Sequence, residues 1–289
     1  MRQQEPMAKY TSWKVGGPAR HFYRPADADD LVEFLRSLPA DEKLLWLGLG
    51  SNLLVRDGGF DGTVVHTQGC LKDMLMTGPT SLRIEAGVSC AVAARYAARE
   101  GLVGLEFFAG IPGTVGGALS MNAGSFGGET WPLVESVEMI NRHGDIVTRQ
   151  PEEFVVAYRQ VELPEADEWF LSANFRLQQG DAEQAQEHIR QLLQQRADSQ
   201  PIGLPSGGST FRNPPGDHAA RLIESCGLKG HCIGDACVSE KHANFVINTD
   251  DASAADIEQL IRLIQQTVLQ QTGVELQPEV RIVGEEKAA

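Results

Sequence analysis

The sequence predicts an α+β fold, and three observations carry the prediction. Strand-like and helix-like segments are mixed without a repeating strand–helix–strand rhythm. Glycine is concentrated in two loops, around Gly48–Asn52 and over Gly110–Gly128. The texture changes near residues 180–200, where a Gln-rich helical pattern gives way to a Pro-, Gly- and Ser-rich stretch, Pro201–Pro215; this is the preferred domain boundary.

The elements follow in order. Gly16-Gly17-Pro18 is a turn ahead of a strand-like Arg20–Tyr23. Asp27–Leu38 reads as a helix capped by Asp27 or Asp29, with Leu31, Phe34, Leu35 and Leu38 on one face. Leu44–Leu49, Leu53–Arg56, Thr63–His66 and Leu82–Glu85 read as strands. Val88–Glu100 reads as an Ala-rich helix with Gly101 as its cap. Val134–Asn141 and Asp145–Arg149 form a hairpin-like pair, and Phe154–Arg159 and Trp169–Leu177 are strand material. Asp181–Ala197 and His218–Cys226 read as helices, and Phe245–Asn248 as a strand. Ala254–Gln271 is an amphipathic helix whose apolar positions include Ile257, Leu260, Ile264, Val268 and Leu269. Glu275–Val283 reads as a last strand.

Gly48-Leu49-Gly50 follows a buried strand, but a Rossmann fingerprint needs a third glycine and a helix next. Leu53-Leu54-Val55 instead returns to strand, so that fold is disfavoured. In Gly110–Gly128, seven of nineteen residues are glycine, a density that argues against helix or strand. Ile111, Pro112, Val115, Leu119, Met121 and Phe126 can anchor this stretch, so it reads as a shaped loop rather than a polar linker. Backbone N–H groups in such loops can close on a flat or anionic ligand, and two loops can grip one long diphosphate.

The 289 residues carry a formal net charge of −14 and a pI of about 4.9. A general nucleic-acid binder would show a basic face, so that class is disfavoured. The chain contains no apolar run of membrane-span length and no signal pattern at its N-terminus, and the expected location is the cytoplasm. Five cysteines suggest no disulfide framework. Cys226, His231, Cys232, Cys237 and His242 lack the paired spacing of a zinc site, so small buried thiols and no metal are expected.

Taken together, LGLGSNLLVRDGGFDG (47–62) and GIPGTVGGALSMNAGSFGGE (110–129) resemble the UDP-N-acetylenolpyruvoylglucosamine reductase (MurB) family. TSWKVGGPA (11–19), GGSTFRNP (207–214), ESCGLKG (224–230), VSEKHANFVIN (238–248) and LQPEVRIVG (276–284) extend the resemblance over nearly the whole chain. It implies a two-lobed FAD-binding domain of the vanillyl-alcohol-oxidase type, with lobes at 1–65 and 66–198, and a C-terminal α+β substrate domain at 199–289. The family reaction is reduction of the enolpyruvyl ether of UDP-N-acetylglucosamine by NADPH through FAD, a step in peptidoglycan precursor synthesis. The expected state is a monomer acting on this sugar nucleotide.

The residues suit that chemistry. Reducing an enolpyruvyl double bond leaves an enolate beside a carboxylate, which needs charge stabilisation and a proton. The resemblance assigns these tasks to Arg159, Ser209 and Glu279. Arg159 can fork onto a carboxylate. Ser209 follows two glycines that leave its hydroxyl clear, and Glu279 lies in an otherwise apolar stretch where a carboxyl could stay protonated. Taken singly, each reads more readily as an ion-pair, turn or solvent-facing residue, and the family motifs reverse that reading. The resemblance puts Gly50, Ser51, Asn52 and Leu53 near the FAD pyrophosphate and adds Ile111, Pro112, Gly113, Gly116, Gly117 and Gly124. Tyr158, Asn213 and His242 are candidates for the sugar nucleotide, with Arg212, Lys229 and Lys241 as phosphate partners. There are departures from the family pattern. Many members place Ser two residues after the Tyr-Arg pair, where this chain has Val161, and Gly234-Asp235-Ala236 stands where two glycines are expected. The tyrosine-bearing insertion of the longer class is missing, which implies the short class. A flavin oxidase or a non-catalytic nucleotide-binding module is the competing reading, but neither glycine loop holds a His for covalent flavin attachment.

Overall fold

The computed structural model describes residues 1–287, and clustering of contacts divides the chain into two interleaved units. The first comprises residues 23–49 and 64–195 together with Met1. Its main sheet has five antiparallel strands in the order Ile146–Arg149, Val134–Asn141, Glu168–Arg176, Ser81–Glu85, Met74–Met76. Side chains of these strands, including Val137, Met139, Phe170, Ala173, Phe175, Leu82 and Ile84, join one core cluster, with a register shift between Phe170 and Ser172. Ile140 and Leu171 of the same strands enter a second cluster, so both faces of the sheet are buried in part. α1 (Ala28–Ser37) starts where Asp27 accepts the Asp30 N–H, and it buries Leu31 and Leu35 in that second cluster with Tyr23, Val65, Leu71, Ile140 and Leu171. α2 (Cys90–Arg99) is capped by Ser89 and buries a stripe of alanines in the first cluster. It ends at Glu100, and Gly101 then takes φ +70°, the left-handed turn expected of a C-terminal glycine. α3 (Val115–Ser120) lies inside the glycine-rich stretch, and α4 (Ala182–Ser199) contributes Ala185 and Ile189 to the core.

The second unit comprises residues 2–22, 50–63 and 196–289, of which the last two lie outside the description. Arg2–Pro6, a polar strand without a sequence signal, pairs antiparallel with Pro18–Tyr23 through partners as far as Phe22. Leu53–Val55 pairs in parallel with Arg281–Val283. Cys232–Ile233, Ala236–Val238 and Val246–Asn248 make a small antiparallel sheet. α5 (Ala219–Ser225) and α6 (Ala254–Thr272) pack Leu222, Ile223, Ile257, Leu260, Ile261 and Ile264 around Trp13, Leu54 and Phe211. The N-terminus of α6 is held twice. Ser253 and Asp256 form a reciprocal capping box, and Asp57 accepts the N–H groups of Ala254 and Ala255 at 3.0 and 2.9 Å.

Several expectations are corrected. The glycine-rich stretch is not loop throughout, since α3 forms despite containing Gly116 and Gly117. Thr114 caps it, and Val115, Ala118 and Leu119 are buried, so packing overrides propensity. A Cβ on Gly116 would come within 2.9 Å of the Ala86 Cβ, so glycine is what permits the close approach. Arg159 is not in a strand. The strand is Val155–Ala157, and Arg159 occupies a two-residue turn with φ +57° before Gln160–Glu162. The last strand is Arg281–Val283, and Glu279 precedes it. Leu269 of α6 is 46 % exposed rather than core. The expectation of buried thiols holds for Cys90 alone. Cys70 and Cys226 are half-buried, while Cys232 and Cys237 face each other across a hairpin and are joined as a disulfide. That bond withdraws both sulfurs from the cluster weighed for zinc. Among the described residues, no helix is long and apolar enough to cross a membrane.

Candidate active site

In the second unit, Ser209 and Glu279 sit on adjoining segments. The Glu279 N–H donates to the Thr210 carbonyl at 2.8 Å, and the Arg212 N–H donates to the Gln277 carbonyl at 2.9 Å. The serine segment is held rigidly. Gly207 lies flat on the Trp13 ring, where a Cβ would come within 2.3 Å. Thr210 N–H donates to the Asn244 carbonyl at 2.8 Å, and the Asn244 side chain bonds both backbone groups of Phe211, at 3.0 and 2.8 Å. Gly208, at φ +73°, has nothing within 4 Å of a notional Cβ, so the space beside half-buried Ser209 is open. The glycine at 50 is dictated by the chain itself, because a Cβ there would lie 1.9 Å from the Tyr10 carbonyl oxygen. Ser51 and Asn52 are half-buried, and Leu53 is buried. Asn52 ties its loop to the acid: Nδ2 donates to the Glu279 carbonyl at 3.1 Å, and the Asn52 carbonyl accepts the Arg281 N–H at 3.0 Å.

In the first unit, Arg159 is half-buried, and its guanidinium lies 5.1 Å from the ring centroid of Tyr158, which is 46 % exposed. Nη1 donates to the Asn122 carbonyl at 3.3 Å and Nη2 to the Gly124 carbonyl at 2.6 Å. Of the expected flavin-binding residues, Ile111 N–H bonds Phe108 O and Gly113 N–H bonds Ile111 O. The N–H of Gly116 donates to Ala86 O at 2.9 Å, and that of Gly117 to Thr114 Oγ1 at 3.3 Å. Both N–H groups thus have acceptors within the protein. What faces outward is the exposed backbone at Pro112 and Gly117, and a Cβ on Gly117 would find only Thr114 Oγ1, at 3.6 Å. No charged side chain occurs in Gly110–Gly128 or in Gly48–Leu53. Uncrowded backbone in segments that carry no charge of their own fits a bulky group carrying phosphates.

The remaining candidates also lie in the second unit. His242 Nδ1 and Arg212 Nε are buried and have no hydrogen-bond partner among the described residues. Burial, foremost, holds the His242 imidazole below its ordinary pKa, and the Lys229 charge adds to this. Asn213 is exposed, and its Oδ1 accepts the Ala219 N–H at 3.0 Å at the start of α5. Lys229 is paired with Glu224 at 2.8 Å, and Lys241 donates to the Ala197 carbonyl at 2.5 Å in the last turn of α4. Asn122, Glu129, Asn244 and Trp13 were missed in the sequence, since their roles depend on contacts distant in sequence. The asparagine between Met121 and Ala123 was the available signal, as it lies among glycines where left-handed backbone is common. A surface groove lined by Glu135, Gln150, Glu152 and Arg176, among others, contains none of the candidates, and Arg176 and Glu135 there form an ion pair.

Comparison with known proteins defines the class first. An FAD-binding domain model matches residues 19–149, and with the reductase relatives and the C-terminal match given next, the chain is an FAD-containing oxidoreductase with an FAD-binding domain of the vanillyl-alcohol-oxidase type and a C-terminal α+β domain. A model described as the C-terminal domain of UDP-N-acetylenolpyruvoylglucosamine reductase matches residues 200–283. A protein of that name from Legionella pneumophila (strain Corby) is 60 % identical over 97 % of this chain and 91 % of its own length. The counterpart from Nitrosococcus oceani is 58 % identical over 99 % and 95 %. The crystal structure of UDP-N-acetylenolpyruvylglucosamine reductase from Thermus caldophilus is similar with a TM-score of 0.84 and 32 % identity, covering 97 % of this chain and 98 % of that one. The chain belongs to the UDP-N-acetylenolpyruvoylglucosamine reductase family.

Proposed function

We propose that the protein reduces the enolpyruvyl ether of UDP-N-acetylglucosamine to UDP-N-acetylmuramate with NADPH, in peptidoglycan precursor synthesis in the cytoplasm, and that it works as a monomer. The observation that carries this reading is the pairing of Glu279 N–H with Thr210 O, which sets a half-buried acid and a hydroxyl on neighbouring rigid segments. Residues 1–65 and 66–198 are the flavin-binding lobes, and 199–289 the substrate domain. Bound FAD supplies hydride transfer in both directions. Gly50–Leu53, Ile111–Gly113, Gly116, Gly117 and Gly124 are the residues that would hold it.

Arg159 grips the substrate carboxylate with its planar fork. Hydride addition to the terminal carbon leaves the neighbouring carbon as an enolate, and Glu279 donates a hydrogen bond to its oxygen from the protonated form. Ser209 then gives its hydroxyl proton to that carbon and recovers one from solvent. Arg212 and His242 meet the diphosphate with their buried nitrogens, and Tyr158, Asn213, Lys229 and Lys241 line the sugar-nucleotide path. For Lys229 this requires exchanging Glu224 for a phosphate, and for Lys241 leaving the end of α4.

An anaerobic visible spectrum of the FAD-loaded protein tests the reading. NADPH should bleach the flavin band, and the enolpyruvyl sugar nucleotide should restore it. Bleaching without restoration would leave the flavin assignment standing and remove the substrate.

A further inference from the structure

We infer that Asn122 is a positioning residue for Arg159, acting with Glu129; this rests on the role proposed above for Arg159. The Asn122 side chain is 2 % exposed, and both ends of its amide are engaged. Nδ2 donates to Glu129 Oε2 at 3.0 Å and to the Ala157 carbonyl at 3.3 Å, and Oδ1 accepts the Trp131 N–H at 3.2 Å. One amide therefore fastens the hairpin that bears Arg159, two residues ahead of it, to the segment that follows α3. Its own main-chain carbonyl then takes Arg159 Nη1 at 3.3 Å, and Gly124 O takes Nη2 at 2.6 Å.

The backbone explains why asparagine is used. Asn122 takes φ +45° and Arg159 φ +57°, and asparagine is among the few side chains that tolerate this left-handed region. That conformation aims the Asn122 carbonyl at the guanidinium. Strain of this kind persists only where surrounding contacts over-determine it, and here the amide supplies them. Gly124 completes the arrangement. A Cβ there would come 3.0 Å from Arg159 Nη1 and 3.2 Å from Glu129 Cγ, so these two side chains flank the same bare backbone. A guanidinium fixed in this way meets a carboxylate in one orientation, and an error near 1 Å in such a clamp can slow a reaction about 100-fold.

The test uses FAD-loaded protein and rapid mixing, reading reduction by NADPH and reoxidation by the enolpyruvyl sugar nucleotide separately. If wild-type flavin is not reoxidised, the proposed function fails before any variant is made. Otherwise Asn122→Asp is expected to slow reoxidation about tenfold or more and leave reduction within about twofold. It is also expected to weaken sugar-nucleotide binding in calorimetric titration. Aspartate keeps the shape, the tolerance for left-handed backbone and the acceptor for Trp131, but loses both donated bonds. Adding Glu129→Gln restores an N–H between the two side chains, and the double variant should recover most of the rate. Equal slowing of both half-reactions, an unchanged Asn122→Asp, or no recovery in the double variant would overturn the inference. Should Asn122→Asp fail to fold, half-buried Glu129→Ala decides. Selective slowing of reoxidation supports the inference, and an unchanged rate overturns it.

Discussion

At the scale of single residues, chemistry legible in the sequence becomes specific only through its neighbours. Ser209 could be marked from its glycines, but its rigidity comes from Trp13 and Asn244. Ser209→Ala should leave NADPH-dependent flavin reduction intact and slow reoxidation by a factor of about 10²–10⁴, the range for losing a positioned proton donor. Stopped-flow traces of the two half-reactions check this, and equal loss in both would point to misfolding. His66 was not marked at all. Burial, foremost, and then the positive charge of Arg24 push its pKa down to about 4. The unfolded chain takes up this proton near pH 6.5 and the native protein only near pH 4, so native stability is fully present above pH 6.5 and declines on acidification towards pH 4. Unfolding free energies from urea titrations should therefore fall less between pH 7 and pH 5 in His66→Gln than in wild type, by an amount on the order of 1 kcal/mol. Parallel shifts in both proteins would remove His66 as the cause.

At the scale of elements, long periodic segments were readable and short irregular ones were not. α1, α2 and α6 have caps and one-sided apolar spacing, and each starts within two residues of its expected position. α3 was hidden because two of its six residues are glycine, and its stability comes from the Thr114 cap and the fit of Gly116 on Ala86. The position two after Arg159 is Val161, where a supporting serine was looked for, and the arginine is held instead by the carbonyls of Asn122 and Gly124. The hairpin of Cys232 and Cys237 was hidden for another reason, since odd cysteine counts in long chains carry no pairing information. The disulfide closes a short loop, five residues apart in sequence. Loop-closure entropy assigns it about 2 kcal/mol. Replacing both cysteines by serine should lower the unfolding free energy by that measure and the denaturant midpoint with it, and addition of a thiol reductant should have no effect on the double variant. A midpoint unchanged by the substitution would mean that the hairpin is already fixed by its strand pairing.

At the scale of the whole molecule, each unit has its own core, one around Phe108 and Phe175 and the other around Trp13 and Phe211. An FAD-binding domain predicts ligand-linked stability. Flavin at 100 times its dissociation constant should add about 2.7 kcal/mol to unfolding, and so raise the thermal midpoint of flavin-free protein by several degrees. Differential scanning fluorimetry over a series of FAD concentrations would show it, and a midpoint indifferent to FAD would speak against a flavin site in the isolated protein. The acidic balance, −14, is compatible with this, because the glycine-rich loops carry no charge of their own.

By itself the sequence determined the α+β class, the well-capped helices and the family, because spacing, caps and turn residues act over a few positions of the chain. Only the tertiary structure decided which partners complete the candidate site. Asn52 reaches Glu279 across 227 positions and Trp13 reaches Val246 across 233, while Asn122 meets the residues around Arg159 across 35 and more. No local pattern encodes such pairings. They are selected when buried polar groups must find hydrogen-bond partners inside a packed interior, and that constraint exists only once the chain has folded.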